Sequence, residues 1–262
     1  MAFEGTIMAK RRLGQVFLVT PRFAEVEAAH ADGKTVIEIG PGTGTLTKEL
    51  CKSARKVIAF EKDRNLYIIL KHELKASNLV LINKDFFDAS DDELDLEHAD
   101  IVISNIPYNL SSRVIEWLAY RRMQAVLCLQ KEFVEHMTAR PGTRSYSKLS
   151  VMSSLTFRIT KIMDVPRGNF RPIPKVDSAI IYMKPLDREI GARSLELIGL
   201  MMQHKKKTVR NAILDSSRNL GIGRERLSAA ADGIGGNGRR LFKLSPEEIL
   251  GVADELGGLL VE

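Results

Sequence analysis

The chain has 262 residues, 44% of them hydrophobic, with 39 basic residues against 33 acidic ones for a net charge of +6. That length suits one large α/β domain with a small appendage. No apolar run approaches the roughly 20 residues of a bilayer span, the N-terminus lacks the apolar core of a signal peptide, and two cysteines exclude a disulfide-stapled scaffold.

The expectation is therefore a cytoplasmic protein with no membrane partner, in which Cys51 and Cys128 are small buried hydrophobes. No Cys/His cluster has zinc spacing, and no metal is expected.

Residues 21–30 read as a helix ahead of a short apolar strand at 36–39. Gly40-Pro41-Gly42-Thr43-Gly44 follows at once, then a helix over 45–54. Glycines at alternate positions let backbone turn sharply and approach a ligand at a helix N-terminus. The third glycine comes one place earlier than in the dinucleotide fingerprint, and no Gly-Lys-Ser/Thr follows as in a P-loop. A second strand at 57–60 ends in Glu61, an acid placed to accept from two ribose hydroxyls. A helix over 65–75 and a third strand at 79–82 lead to Asp85, which can accept from an adenine amino group. Strands at 101–104 and 125–130 flank a helix over 112–120, with Ser111-Ser112 as its cap. Alternating strands and helices imply a parallel sheet whose strand ends converge on one crevice. Residues 159–165 and 179–183 would be the last two strands, with a proline-rich loop at 166–174 between them.

Asn105-Ile106-Pro107-Tyr108 directly follows the fourth strand. The amine of adenine is a poor nucleophile, its lone pair delocalised into the ring. The Asn105 side-chain oxygen and the Ile106 carbonyl can both accept from such an amine and hold it for methyl transfer. Pro107 fixes its own φ and offers no competing N–H, and Tyr108 can stack on the base. The tetrapeptide alone also occurs in ordinary turns; its weight comes from the glycine turn and the two acids upstream.

Past Lys184-Pro185 the strand pattern stops, and 194–204, 208–215, 224–231 and 246–255 read as short helices. Ser245-Pro246-Glu247-Glu248 is a capping-box start, and residues 233–238 are a glycine-rich linker. Basic clusters recur at Lys10-Arg11-Arg12, Arg121-Arg122, Arg140/Arg144/Lys148, Lys205-Lys206-Lys207/Arg210 and Arg239-Arg240/Lys243, offset by acids within 85–100. Charge runs are usually solvated faces, but this segregation fits phosphate-backbone binding.

The motifs together resemble the ribosomal RNA small-subunit adenine-N6,N6 dimethyltransferase family, over nearly the whole chain. They include Leu13-Gly14-Gln15-Val16-Phe17-Leu18, Glu38-Ile39-Gly40-Pro41-Gly42-Thr43-Gly44, Glu61, Asp85, Asn105-Ile106-Pro107-Tyr108-Asn109 and Gln130-Lys131-Glu132. Further on come the stretch from Phe170-Arg171-Pro172 to Ala179 and Lys205-Lys206-Lys207-Thr208-Val209-Arg210-Asn211. The short N-terminal segment points to the archaeal-type branch.

The resemblance implies a Rossmann-like methyltransferase fold, a mostly parallel seven-stranded sheet with helices on both faces, over residues 1–185. It adds a small all-helical RNA-binding domain over 186–262. It implies S-adenosylmethionine as cofactor, held by Gln15, Leu18, Gly40, Gly42, Gly44, Glu61, Asp85, Phe86 and Asn105. It gives Asn105, Ile106, Pro107 and Tyr108 the catalytic role, with Phe170 as a second stacking wall opposite Tyr108. Arg144, Lys148, Lys205, Lys206, Lys207 and Arg210 would bind RNA. The partners implied are small-subunit ribosomal RNA and a pre-30S-like particle, with a further role in ribosome assembly; a monomer is the default expectation, since the sequence does not give the oligomeric state. The family usually has a polar Asn or His where Val16 stands, and valine cannot hydrogen-bond the cofactor through its side chain. Two other readings of the same fold are a non-catalytic RNA-binding assembly or transcription factor and a large-subunit RNA dimethylase. A scaffold need not keep Glu61, Asp85, Asn105 and Tyr108 together, and the C-terminal domain looks like the housekeeping branch.

Overall fold

The structure is a computed structural model that describes residues 15–261. The basic cluster at Lys10-Arg11-Arg12 and Leu13-Gly14 of the opening motif lie outside the described residues. The strands are β1 (Phe17–Leu18), β2 (Thr35–Ile39), β3 (Lys56–Phe60), β4 (Leu79–Ile82), β5 (Ile101–Ser104), β6 (Ala125–Gln130), β7 (Phe157–Val165), β8 (Phe170–Arg171) and β9 (Ser178–Pro185). The helices are α1 (Pro21–Ala28), α2 (Thr45–Ser53), α3 (Arg64–Glu73), α4 (Asp91–Leu94), α5 (Ser111–Arg121), α6 (Lys131–Met137), α7 (Lys148–Thr156), α8 (Ala192–Gln203), α9 (Val209–Asp215), α10 (Ser217–Leu220), α11 (Arg224–Gly233) and α12 (Pro246–Val261).

Seven strands form the expected sheet in the order β4-β3-β2-β5-β6-β9-β7. The first five are parallel, and β9 runs antiparallel to β6. Every residue of β2 and of β5 is buried. Successive strand residues point to opposite faces, so both faces of the sheet are covered. That is why Val36-Ile37-Glu38-Ile39 and Ile101-Val102-Ile103-Ser104 are near-continuous apolar runs rather than alternating ones. On one face α1 and α2 set Phe23, Ala24, Leu46 and Leu50 against Val36, Val57, Ile101 and Val126. β1 and β8 form a separate two-stranded antiparallel ribbon, with Leu18 opposite Phe170.

The chain divides into two compact units: residues 1–131 with 159–184, and residues 132–158 with 185–262. One break falls after Lys184, and residues 132–158 belong to the helical unit rather than to the sheet. The reason is packing. Tyr146, Val151 and Leu155 share a core with Leu197, Ile198, Ile213 and Leu256. The Tyr146 hydroxyl donates to the Leu244 carbonyl at 3.0 Å. α7 buries Ser150-Val151-Met152-Ser153 in succession, so it carries no helical stripe to read. Two other local expectations change. Leu110, not a serine, is the N-cap of α5, and Ser111 is its buried first residue. The loop at 166–174 contains a 3-10 turn (Arg167–Asn169) and the short strand β8. The capping box at Ser245 and Glu248 is formed, with bonds of 2.7 and 3.1 Å.

Candidate active site

The register Ile39–Phe60–Ile82 aligns the carboxyl ends of β2, β3 and β4. The ladder continues one step past them, Gly40 N–H donating to the Phe60 carbonyl and Glu61 N–H to that of Ile82, both at 2.9 Å. Ser104 Oγ donates to the Ile39 carbonyl at 2.7 Å and ties the end of β5 to the same level. Gly40, Glu61 and Asn105 therefore open on one cleft, at the place where doubly wound sheets bind ligands. Gln15, Val16, Gly42, Asp85, Phe86 and Pro107 also line it.

Gly40, Gly42 and Gly44 all have positive φ, at +68°, +60° and +77°. A Cβ on Gly42 would stand 2.8 Å from the Phe17 ring, and one on Gly44 2.7 Å from a Leu70 methyl. Gly42 thus keeps the turn open beside the cleft. Gly44 is the N-cap of α2 and packs away from it, so its role is in the turn rather than in ligand contact. Leu18 is buried and lines a smaller adjoining recess with Glu38, Gly42 and Asn105.

Glu61 is 5% exposed. Its Oε2 accepts from Gly42 N–H at 3.1 Å and its Oε1 from Asp63 N–H at 2.7 Å. This pinned acid lines the cleft. Gln15 Nε2 donates to Asp63 Oδ2 at 3.3 Å in the same group. Asp85 Oδ1 accepts from Phe87 N–H at 3.1 Å, and Oδ2 meets Lys62 Nζ at 2.6 Å. Partial burial raises the Asp85 carboxyl, but Lys62, the Phe87 amide and Arg113 together hold it below the usual carboxylate range. Phe86 is buried edge-on between Phe60 and Trp117, with ring centroids 5.8 and 4.9 Å away, and forms an aromatic floor.

Ile106 is buried and Pro107 packs against Gly40. Tyr108 is half-buried, and its hydroxyl bonds Ser178 Oγ at 2.9 Å. Burial raises its phenol further above the usual value. Phe170 departs from expectation. It is 2% exposed, paired with Leu18 and packed in the core with Phe23 and Ala24. It offers no open ring face here, so a Tyr108–Phe170 clamp is not assembled.

Two buried carboxyls escaped the sequence reading as functional groups. Glu27 is fully buried on α1, and its Oε2 accepts from Asn105 Nδ2 at 3.1 Å. Glu38 lies beneath the glycine turn; burial, with the charge of Glu61 adding to it, pushes its carboxyl up to about 8. The signal for Glu27 was an acid on the same helical face as Phe23, Ala24 and Ala28.

The RNA-binding candidates all lie in the helical unit. Lys205 donates to the backbone carbonyls of Arg144, at 3.1 Å, and Tyr146. Lys207 pairs with Asp215, and Arg210 with Asp232 at 2.6 Å. Lys206 and Arg144 are exposed, and Lys148 begins α7. Lys206 joins Thr208, Arg224 and Arg240 around a shallow basic recess. Among the described residues, no group of three His, Cys, Asp or Glu could hold a metal, and no helix is long and apolar enough to cross a membrane.

The family of ribosomal RNA adenine dimethylases matches residues 7–257. A probable ribosomal RNA small subunit methyltransferase A from Thermococcus onnurineus is 38% identical, over 93% of this chain and 90% of the relative. One from Methanopyrus kandleri is 40% identical, over 84% and 81%. Among solved structures, a dimethyladenosine transferase from Plasmodium falciparum is 25% identical with a TM-score of 0.74, over 93% of this chain and 98% of that one. The 23S rRNA methyltransferase ErmE is 28% identical with a TM-score of 0.63, over 92% and 99%. A cleft built from a glycine turn, two strand-end acids and Asn105-Ile106-Pro107-Tyr108, and a family match that spans both units, lead to one conclusion: the chain belongs to the ribosomal RNA adenine dimethylase family.

Proposed function

We propose that this chain dimethylates N6 of two adjacent adenosines near the 3′ end of small-subunit ribosomal RNA. The observation that carries the reading is the convergence of Asn105 and Pro107 with Gly40, Gly42, Glu61 and Asp85 on one cleft. S-adenosylmethionine, when bound, supplies the electrophilic methyl group. The residues present fit it. The glycine turn leaves room that a side chain would fill, Glu61 is a pinned acceptor, and Asn105 Oδ1 is a buried oxygen with no partner among the described residues.

Asn105 Oδ1 and the Ile106 carbonyl accept from the adenine amine and hold its lone pair toward the cleft. Tyr108 stacks on the base, which must leave its own stack to reach the pocket. Phe170 joins it only if the β1–β8 ribbon yields. The amine is neutral before transfer and, once methylated, is acidic enough to give its proton to water, so no side chain is needed as a general base. Gln15, Leu18 and Phe86 complete the cofactor pocket. Arg144, Lys148, Lys206 and the other basic residues of the helical unit hold the RNA backbone. The substrate form is a pre-30S-like particle, on which a cytoplasmic monomer also serves assembly.

The small-subunit reading over a large-subunit one is supported by relatives named small subunit methyltransferase A. The test incubates the protein and labelled S-adenosylmethionine with unmethylated small or large subunits, then digests the RNA to nucleosides. N6,N6-dimethyladenosine in small-subunit RNA is expected. Monomethyladenosine alone, or label confined to large subunits, overturns the proposal.

A further inference from the structure

Glu27 is an expensive residue for its position. It lies on the core face of α1 with Phe23, Ala24 and Ala28, and is 0% exposed. Among the described residues its Oε1 has no partner, and its Oε2 accepts only from Asn105 Nδ2, at 3.1 Å. A buried carboxyl satisfied at one oxygen destabilises a fold relative to an aliphatic side chain of similar size. Its one bond, however, falls on the residue that must grip the substrate amine.

The two ends of an asparagine amide are nearly the same shape but opposite in hydrogen bonding. With the oxygen toward the cleft, Asn105 accepts from an amine. Rotated by half a turn, it presents N–H groups to N–H groups and repels it. Packing alone hardly distinguishes the two orientations. An acceptor behind the amide nitrogen does, because the reversed amide would set its oxygen against the Glu27 oxygen. In the structure Nδ2 faces Glu27 and Oδ1 is the atom left without a partner.

We propose that Glu27 is a positioning residue for methyl transfer, locking the Asn105 side chain with its oxygen directed at the target amine. This rests on the reading of Asn105 as the amine's acceptor. Burial, opposed by the Asn105 bond and aided by Glu38, holds the Glu27 carboxyl well above the usual range. The groups facing it are Asn105, Glu38 and Cys128. A proton on Glu27 goes to the unpartnered Oε1, so Oε2 remains the acceptor in both states. Glutamine keeps an acceptor oxygen but can also turn its own amide, so it should restore most of the lock rather than all of it.

The test measures dimethylation of unmethylated small subunits by Glu27→Met, Glu27→Leu, Glu27→Gln, Asn105→Ala and Glu27→Met/Asn105→Ala. Two apolar variants are used so that failure of one to fold leaves the other. Glu27→Met and Glu27→Leu should lower kcat about tenfold with KM for cofactor and RNA little changed, while Glu27→Gln stays within about threefold of the parent. Their urea midpoints at neutral pH should hold or rise, since a buried carboxyl is gone. On the Asn105→Ala background Glu27→Met should cost nothing more, because the residues act as one unit. Unchanged kcat in folded Glu27→Met, a Glu27→Gln protein as slow as Glu27→Met, or additive losses in the double variant would overturn the proposal. A fully active Asn105→Ala protein would instead overturn the reading of Asn105 on which it rests.

Discussion

Removing the Glu61 carboxylate should damage the protein in two separable ways. Its two oxygens tie Gly42 N–H at 3.1 Å and Asp63 N–H at 2.7 Å, within a site only 5% exposed. In Glu61→Ala both donors lose a charged acceptor. Each orphaned donor costs about 1–3 kcal/mol, and water entering the space left by the side chain recovers part of that. The expected loss is about 2–4 kcal/mol of unfolding free energy, a sizeable share of a domain's 5–15. Losing the ribose contact should separately weaken S-adenosylmethionine binding by at least about tenfold. The variant should fold in the cold yet unfold early in urea, so sequence alone, which assigned Glu61 only to the ligand, understates its role. Glu61→Gln keeps one acceptor and should fall between. Urea titration monitored at the single tryptophan, Trp117, reads the first effect, and calorimetric titration with the cofactor reads the second. An unchanged urea midpoint would refute the tether, and unchanged cofactor affinity in the folded variant would refute the ribose assignment.

Tyr108→Phe should retain at least about a third of kcat because the stacking face remains, whereas Tyr108→Ala should lose at least tenfold; equal losses would show that the bond to Ser178 Oγ, not stacking, matters. Glu38 is raised from 4.5 to about 8 in the folded state, which therefore binds more protons than the unfolded chain between those values. Stability should fall as pH rises from 5 to 8. Glu38→Gln should flatten that part of the profile in urea melts. Lys206→Ala should weaken RNA binding and reduce its salt dependence by about one unit of slope without moving the melting temperature. Lys205→Ala should lower the melting temperature, because its ammonium holds the Arg144 and Tyr146 carbonyls.

Local chemistry made much of this protein readable in advance. Strands buried on both faces announce themselves as near-continuous apolar runs, so β2, β3 and β5 and their parallel direction followed from the residues. Gly40, Gly42 and Gly44 were legible because their backbone conformation excludes most other residues. Glu61, Asp85 and Asn105 stood out because each ends a strand, where a doubly wound sheet puts its ligands. What the chain order could not carry was partnership across it. The bond from Asn105 to Glu27 spans 78 positions, and Glu27 is only an acid on the apolar face of a helix, with no partner named, until α1 is laid against β5. Phe170 reads as a loop aromatic, a second stacking wall opposite Tyr108 by resemblance, yet in the structure it is paired with β1 and buried. Lys205, Lys207 and Arg210 read as a basic cluster, yet folding supplies each with a carbonyl or a carboxylate. Residues 132–158 join the helical unit through Tyr146, Val151 and Leu155, whose core partners lie beyond Lys184. Periodicity reports which side of an element is buried; only the tertiary structure decides what it is buried against.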